Sequence, residues 1–119
     1  KVVVLTSSGD LLKIDAQVGE VDWSLNITPS MSSHETDFFQ SSEVVISKKD
    51  IIFSAASSIY SFNLDTGNIN WDKTIRTTNT PIVDGNNIFL VTNNGFFINM
   101  DIIILQFDTN LSRRSGMND

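Results

Sequence analysis

Short apolar runs punctuated by turn residues dominate this chain, and no helical period competes with them. Val2–Leu5, Ile51–Phe53 and Ile88–Val91 are compact β-branched or aromatic stretches of the kind that form buried strands. Ser7-Ser8-Gly9, Ala56-Ser57-Ser58 and Asn93-Asn94-Gly95 follow them and read as tight turns. The next segments, Leu11–Asp15, Ile59–Asn63 and Phe97–Asp101, partly alternate. A loop ending in Gly19 or Gly67 comes next, which predicts a hairpin whose last turn residue has positive φ. Glu20-Val21-Asp22-Trp23 and Asn68-Ile69-Asn70-Trp71 then alternate polar and apolar. Strict alternation predicts that each tryptophan shares one face with its aliphatic neighbour. The pattern is all-β.

The elements also repeat. Leu11 to Trp23 lies over Ile59 to Trp71 without a gap, an offset of 48 residues that superposes Gly19 on Gly67 and Trp23 on Trp71. Gly95 to Asp101 lies over Gly9 to Asp15 at an offset of 86, so the second spacing is 38. These spacings bracket the roughly 40–45 residues of a four-stranded propeller blade. A blade cannot cover both of its faces and must stack on its neighbours. A tryptophan at the end of the outermost strand suits that contact, because its burial removes about 200 Å² of mostly apolar surface. Trp23 and Trp71 are therefore expected to anchor blade to blade, each indole N–H finding a backbone carbonyl on the adjacent blade.

Gly9-x-Leu11-Leu12-x-Ile14-Asp15-Ala16-x-x-Gly19-x-x-x-Trp23 resembles the pyrroloquinoline-quinone-type (PQQ-like) propeller repeat with its tryptophan-docking motif. The second copy keeps Tyr60, Thr66, Gly67 and Trp71, and Thr80-Pro81-Ile82-Val83-Asp84-Gly85 looks like the start of a further blade. Val18 replaces the usual Thr, and Asn63 the usual Asp. The third copy keeps Gly95 and Asp101, but Leu105 and Thr109 stand where the glycine and tryptophan should recur. The resemblance implies a partial β-propeller of four-stranded antiparallel blades, about two and a half of them, with the ring not closed. Repeats are expected over 1–101, as a partial blade (1–27), a complete blade (40–75) and a second partial blade (80–101). Residues 102–119 are expected to be an atypical tail from a truncated or frame-shifted reading frame, with the run Ile102–Phe107 pairing as a substitute outer strand. Such a fragment is expected to be marginally stable or aggregation-prone.

Within the family, one branch comprises PQQ- and calcium-dependent quinoprotein dehydrogenases and another comprises non-catalytic scaffolds. The second includes the β-barrel assembly lipoprotein of the BamB type. The dehydrogenases place a vicinal cysteine pair near the quinone, and this chain has no Cys. The expectation is therefore a non-enzymatic scaffold without cofactor, binding protein partners of an outer-membrane assembly complex on the periplasmic side of the bacterial envelope. The fragment of a dehydrogenase is the alternative.

Composition narrows the remaining chemistry. The chain has 119 residues, 40% of them apolar, with 8 Lys+Arg against 14 Asp+Glu and a net charge of −6. That is one ordinary domain at most, too apolar for a disordered acidic tail and too acidic for a nucleic-acid partner. The chain opens on Lys1 rather than Met, and the repeats suggest part of a longer protein. Its apolar runs are far shorter than a membrane span. His34-Glu35-Thr36-Asp37 groups three metal-ligating side chains but sits in a long polar stretch, where an exposed loop is the stronger reading. Asp65-Thr66-Gly67-Asn68 and Asp84-Gly85-Asn86-Asn87 imitate calcium loops without the closing Glu and read as turns. Asn26-Ile27-Thr28 and Asn110-Leu111-Ser112 match glycosylation acceptors, a frequent chance pattern. Arg113-Arg114 reads as part of a solvated tail, and no Gly-x-Ser-x-Gly nucleophile elbow occurs.

Overall fold

A computed structural model of the 119-residue chain describes residues 1–27, 41–55 and 57–106. Among these residues ten strands run in chain order: β1 (Val2–Leu5), β2 (Asp10–Asp15), β3 (Glu20–Asn26), β4 (Val45–Ser47), β5 (Asp50–Ala55), β6 (Ser58–Asn63), β7 (Ile69–Thr74), β8 (Ile82–Asp84), β9 (Asn87–Val91) and β10 (Phe97–Asp101). They form three antiparallel meanders, β1-β2-β3, β4-β5-β6-β7 and β8-β9-β10, and no ring closes. The architecture is that of a propeller fragment, with three, four and three strands per sheet.

Two apolar interfaces hold the sheets together. Leu11, Ile51, Phe53, Ala55 and Phe62 form the core between the first and second sheets, with Val3, Leu5 and Trp23 packed against it. Ile52, Ile59, Trp71, Ile88 and Leu90 form the core between the second and third. Residues of β5 thus alternate between two interfaces, which is why this strand reads as an unbroken apolar run. Ile51, Ile52, Phe53 and Ile59 are completely buried, each contributing about 1.5–3 kcal/mol of transfer free energy.

Polar bonds tie the β7–β8 connection to both of its neighbours. The Thr77 hydroxyl and the Asn79 amide both donate to the Val91 carbonyl at 2.7 Å. The Ser54 hydroxyl donates to the Asn79 carbonyl at 3.3 Å, and the Glu43 N–H donates to Thr80 Oγ1 at 3.1 Å. These bonds satisfy backbone groups that sheet stacking would otherwise strand.

The expectation that each tryptophan and its aliphatic neighbour share a face is overturned. Lys13 pairs with Trp23 while Ile14 pairs with Val21, leaving Asp22 as an extra residue. Forty-eight positions on, Ser61 pairs with Trp71 and Phe62 with Ile69, leaving Asn70 extra. Each is a β-bulge, and one inserted residue reverses the side-chain phase of the strand. Val21 is therefore 51% exposed while Trp23 faces the second sheet. Ile69 packs in the first interface, and Trp71 in the second. The bulge turns each indole toward the following sheet.

Candidate functional site

A single turn, used three times, builds the seats on which the sheets dock. At the end of β2, Asp15 Oδ1 accepts the Gln17 N–H at 3.1 Å, and the Gly19 N–H donates to the Asp15 carbonyl at 2.7 Å. At the end of β6, Asn63 Oδ1 accepts from Asp65 and Thr66 N–H groups at 2.8 and 3.0 Å, and the Gly67 N–H donates to the Asn63 carbonyl at 2.8 Å. Both glycines have positive φ, +76° and +80°, which closes the turn at little steric cost. Only an acceptor oxygen is required of the first residue, so Asn63 serves where Asp15 does. Thr66 Oγ1 accepts the Asn68 N–H at 3.2 Å and braces the exit from the second turn.

Trp23 fills the seat on the second sheet. Its Nε1–H donates to the Leu64 carbonyl at 3.1 Å. Its ring lies directly over Gly67: a Cβ built there would meet Trp23 Cδ2 at 2.8 Å and Cε3 at 2.9 Å. Gly67 is thus fixed twice, by its backbone angle and by the indole. Beside the ring, nearly buried Lys13 approaches Asp65 Oδ1 at 3.8 Å, and Lys49 reaches Asp65 Oδ2 at 3.3 Å. Tyr60 lies behind the seat, packed on Phe53 and Phe62 at ring separations of 5.6 and 6.0 Å.

The third seat starts in the same way and ends differently. Asp101 Oδ1 accepts the N–H groups of Ile103 and Ile104 at 2.9 and 3.3 Å, as Asn63 does for its own turn. The fifth residue is Leu105 rather than glycine, and residues 102–106 continue into a short helix. The substitute strand expected over Ile102–Phe107 is therefore corrected to helix over 102–106, with Phe107 outside the described residues. Three causes converge: Asp101 caps the first turn, Leu105 disfavours the left-handed closing angle, and burial selects positions 102 and 105. Ile102 and Leu105, each 6% exposed, sit one helical turn apart in the interface that holds Trp71. Ile102 occupies the position of Leu64, yet the buried Trp71 Nε1 makes no hydrogen bond to any described residue.

Of the other motif residues, Gly95 has φ +92° and closes the β9–β10 turn, its N–H donating to the Thr92 carbonyl at 2.9 Å. Gly9 closes the β1–β2 turn in the same way, donating to the Thr6 carbonyl at 3.0 Å. Sequence reasoning missed Thr6 and Thr92. Their hydroxyls accept the Asp10 and Phe96 N–H groups, each at 3.0 Å, and their common offset of 86 residues was the available signal. It also missed Lys13, which is buried on the inner face of the first sheet.

Charged groups here do structural work. The Gln17 N–H and then the Lys1 charge pull Asp15 below its ordinary pKa. Burial raises Asp50, against the opposing influence of Lys48 and a hydrogen bond from Asn70. Asp65 ion-pairs in the docking turn, while Gly85, at φ +61°, forms the two-residue β8–β9 turn with Asn86. The Asn26 amide donates to Asp10 Oδ1 at 2.8 Å. His34-Glu35-Thr36-Asp37, Thr28, Asn110-Leu111-Ser112 and Arg113-Arg114 lie outside the described residues. Among the described residues, no three His, Cys, Asp or Glu side chains are grouped so as to hold a metal ion. No helix there is long and apolar enough to cross a membrane.

A family model described as outer membrane protein assembly factor BamB matches residues 1–105. The chain belongs to this family. The crystal structure of BamB from Moraxella catarrhalis resembles the fold with a TM-score of 0.66 at 13% identity. That match covers 83% of this chain and 31% of the other, so the chain spans less than a third of the length of that BamB. No curated protein sequence matches the chain.

Proposed function

We propose that this BamB-family chain is part of a non-catalytic propeller scaffold that binds protein partners on the periplasmic side of the bacterial envelope, within an outer-membrane assembly complex. The family match over residues 1–105 is the observation that carries this reading. In it, residues 1–101 are the propeller repeats, and Asp15, Gly19, Trp23, Tyr60, Thr66, Gly67, Trp71, Gly95 and Asp101 are architectural. The chemistry of the described residues supports the assignment. Asp15 and Asp101 cap turns, Asp65 ion-pairs across sheets, and Asp50 bonds to Asn70.

The test uses the full-length protein. Purified components of the organism's outer-membrane barrel-assembly complex are titrated against it by biolayer interferometry, in parallel with a dye-reduction assay containing pyrroloquinoline quinone and Ca²⁺. Saturable binding at about micromolar Kd with no dye reduction is expected. Quinone-dependent turnover overturns the scaffold reading in favour of a dehydrogenase.

A further inference from the structure

We propose that residues 101–105 form a two-state element whose major state is the helix described above and whose minor state is the docking turn that seats Trp71. The entry to this segment is already that of the turn. The Ile102 N–H donates to the Asn86 carbonyl at 2.7 Å, as the Leu64 N–H donates to the Lys49 carbonyl at 2.8 Å. Asp101 Oδ1 accepts the N–H groups two and three residues on at 2.9 and 3.3 Å, as Asn63 Oδ1 does at 2.8 and 3.0 Å. Even the closing bond is shared in kind, because the Gly67 N–H reaches the Asn63 carbonyl at helical spacing. The states part at one angle. Gly67 has φ +80°, while Leu105 keeps a negative φ and the chain runs on as helix.

Each state carries a defect that the other lacks. A helix aims the carbonyl of residue 102 along its axis at the N–H of residue 106. Ile102 then cannot accept from Trp71 as Leu64 accepts from Trp23. Trp71, 2% exposed, packs in the same cluster as Ile102 and Leu105, and its Nε1–H has no acceptor among the described residues. The turn supplies that acceptor but forces Leu105 into the left-handed region. A buried donor without an acceptor and an L-residue at positive φ carry penalties of the same order, which keeps both states within reach. The turn carries one more. Its Cβ falls where a Cβ added at Gly67 would meet the Trp23 ring at 2.8 Å. The turn is therefore the minority state, at about 0.1–10% of the population. Indole and backbone are coupled, so whatever seats Trp71 unwinds the helix.

Nitrogen relaxation dispersion, which reads microsecond-to-millisecond exchange, tests the proposal. Exchange is expected at the Trp71 indole and at the amides of residues 103–106, and none at the Trp23 indole, whose bond to Leu64 is made. Leu105→Gly removes both penalties of the turn. Residues 102–106 should then lose their helical carbon shifts, and the Trp71 indole proton should exchange with deuterium about tenfold more slowly. Leu105→Ala removes bulk without freeing the angle and should stay helical. Trp71→Phe deletes the group that the turn satisfies and should quench exchange at residues 103–106, an arm that stands even if Leu105→Gly fails to fold. Absence of exchange in the wild-type protein overturns the proposal. So does a folded Leu105→Gly variant that stays helical with an unaltered Trp71 indole, a Leu105→Ala variant that adopts the turn, or exchange that persists undiminished in Trp71→Phe.

Discussion

Replacing Gly67 with Ala tests the docking seat directly, because the structure supplies its own control. At Gly67 the new methyl group meets two costs. An L-residue at φ +80° is strained by roughly 1–2 kcal/mol. The Cβ also lands 2.8 Å from Trp23 Cδ2, so the indole must move. Overpacking of this kind costs about 1–3 kcal/mol, and a displaced ring loses its bond to the Leu64 carbonyl, about 1 kcal/mol more. Gly19→Ala meets only the first cost, since φ there is +76° and nothing lies within 4 Å of the new Cβ. The expected destabilisation is therefore ~3–6 kcal/mol at Gly67 against ~1–2 kcal/mol at Gly19. Urea denaturation followed by circular dichroism measures both. A double-mutant cycle with Trp23→Ala then isolates the indole contact, whose coupling should account for most of the difference. Equal effects at the two glycines, or a coupling near zero, would falsify the assignment of Gly67 as the seat for Trp23.

The other predictions concern single groups. Trp23→Phe removes a made hydrogen bond and should destabilise by about 1 kcal/mol beyond its volume loss, whereas Trp71→Phe removes a buried donor with no partner among the described residues and should cost no more than its volume loss; urea midpoints decide. Asp101→Ala should weaken the helix at 102–106 by about 1 kcal/mol, read as faster amide exchange at Ile103 and Ile104. Lys48 is the sole non-glycine with positive φ among the described residues, at +56°, so Lys48→Gly should raise the thermal midpoint. Because burial raises the folded-state pKa of Asp50, the protonated form is favoured in the fold. Stability from this group is fully present below pH ~3.8 and is lost as pH rises through the folded value. Asp50→Asn, which keeps an acceptor for Asn70, should therefore be the more stable protein at neutral pH and lose that advantage below pH ~3.8, as a pH series of denaturation curves would reveal.

The strands were legible because their chemistry is local. Val2–Leu5 and Ile51–Phe53 have the composition of buried strands, and both run as strands. The glycines at 19 and 67 announce a positive angle wherever a hairpin must close. The two bulges were not legible. An inserted Asp22 or Asn70 looks the same in an alternating string as a solvent-facing residue, and only the partner strand reveals the phase change. The helix at 102–106 misled for the opposite reason. Three consecutive isoleucines favour a strand by propensity, but a capping aspartate before them and a leucine in the glycine position decided the backbone. That outcome was implicit in the missing glycine, which the repeat alignment exposed without saying what would replace it.

Among the described residues the middle sheet packs against a sheet on each side, and this grades the described part from its centre outward. Its β5 and β6 amides should be the last to exchange with deuterium, and the flanking meanders should detach while it persists. The converse also holds. Shedding either flank bares Ile51 and Phe53 on one side or Ile52 and Ile59 on the other, so the first step of unravelling uncovers side chains that are completely buried in the fold.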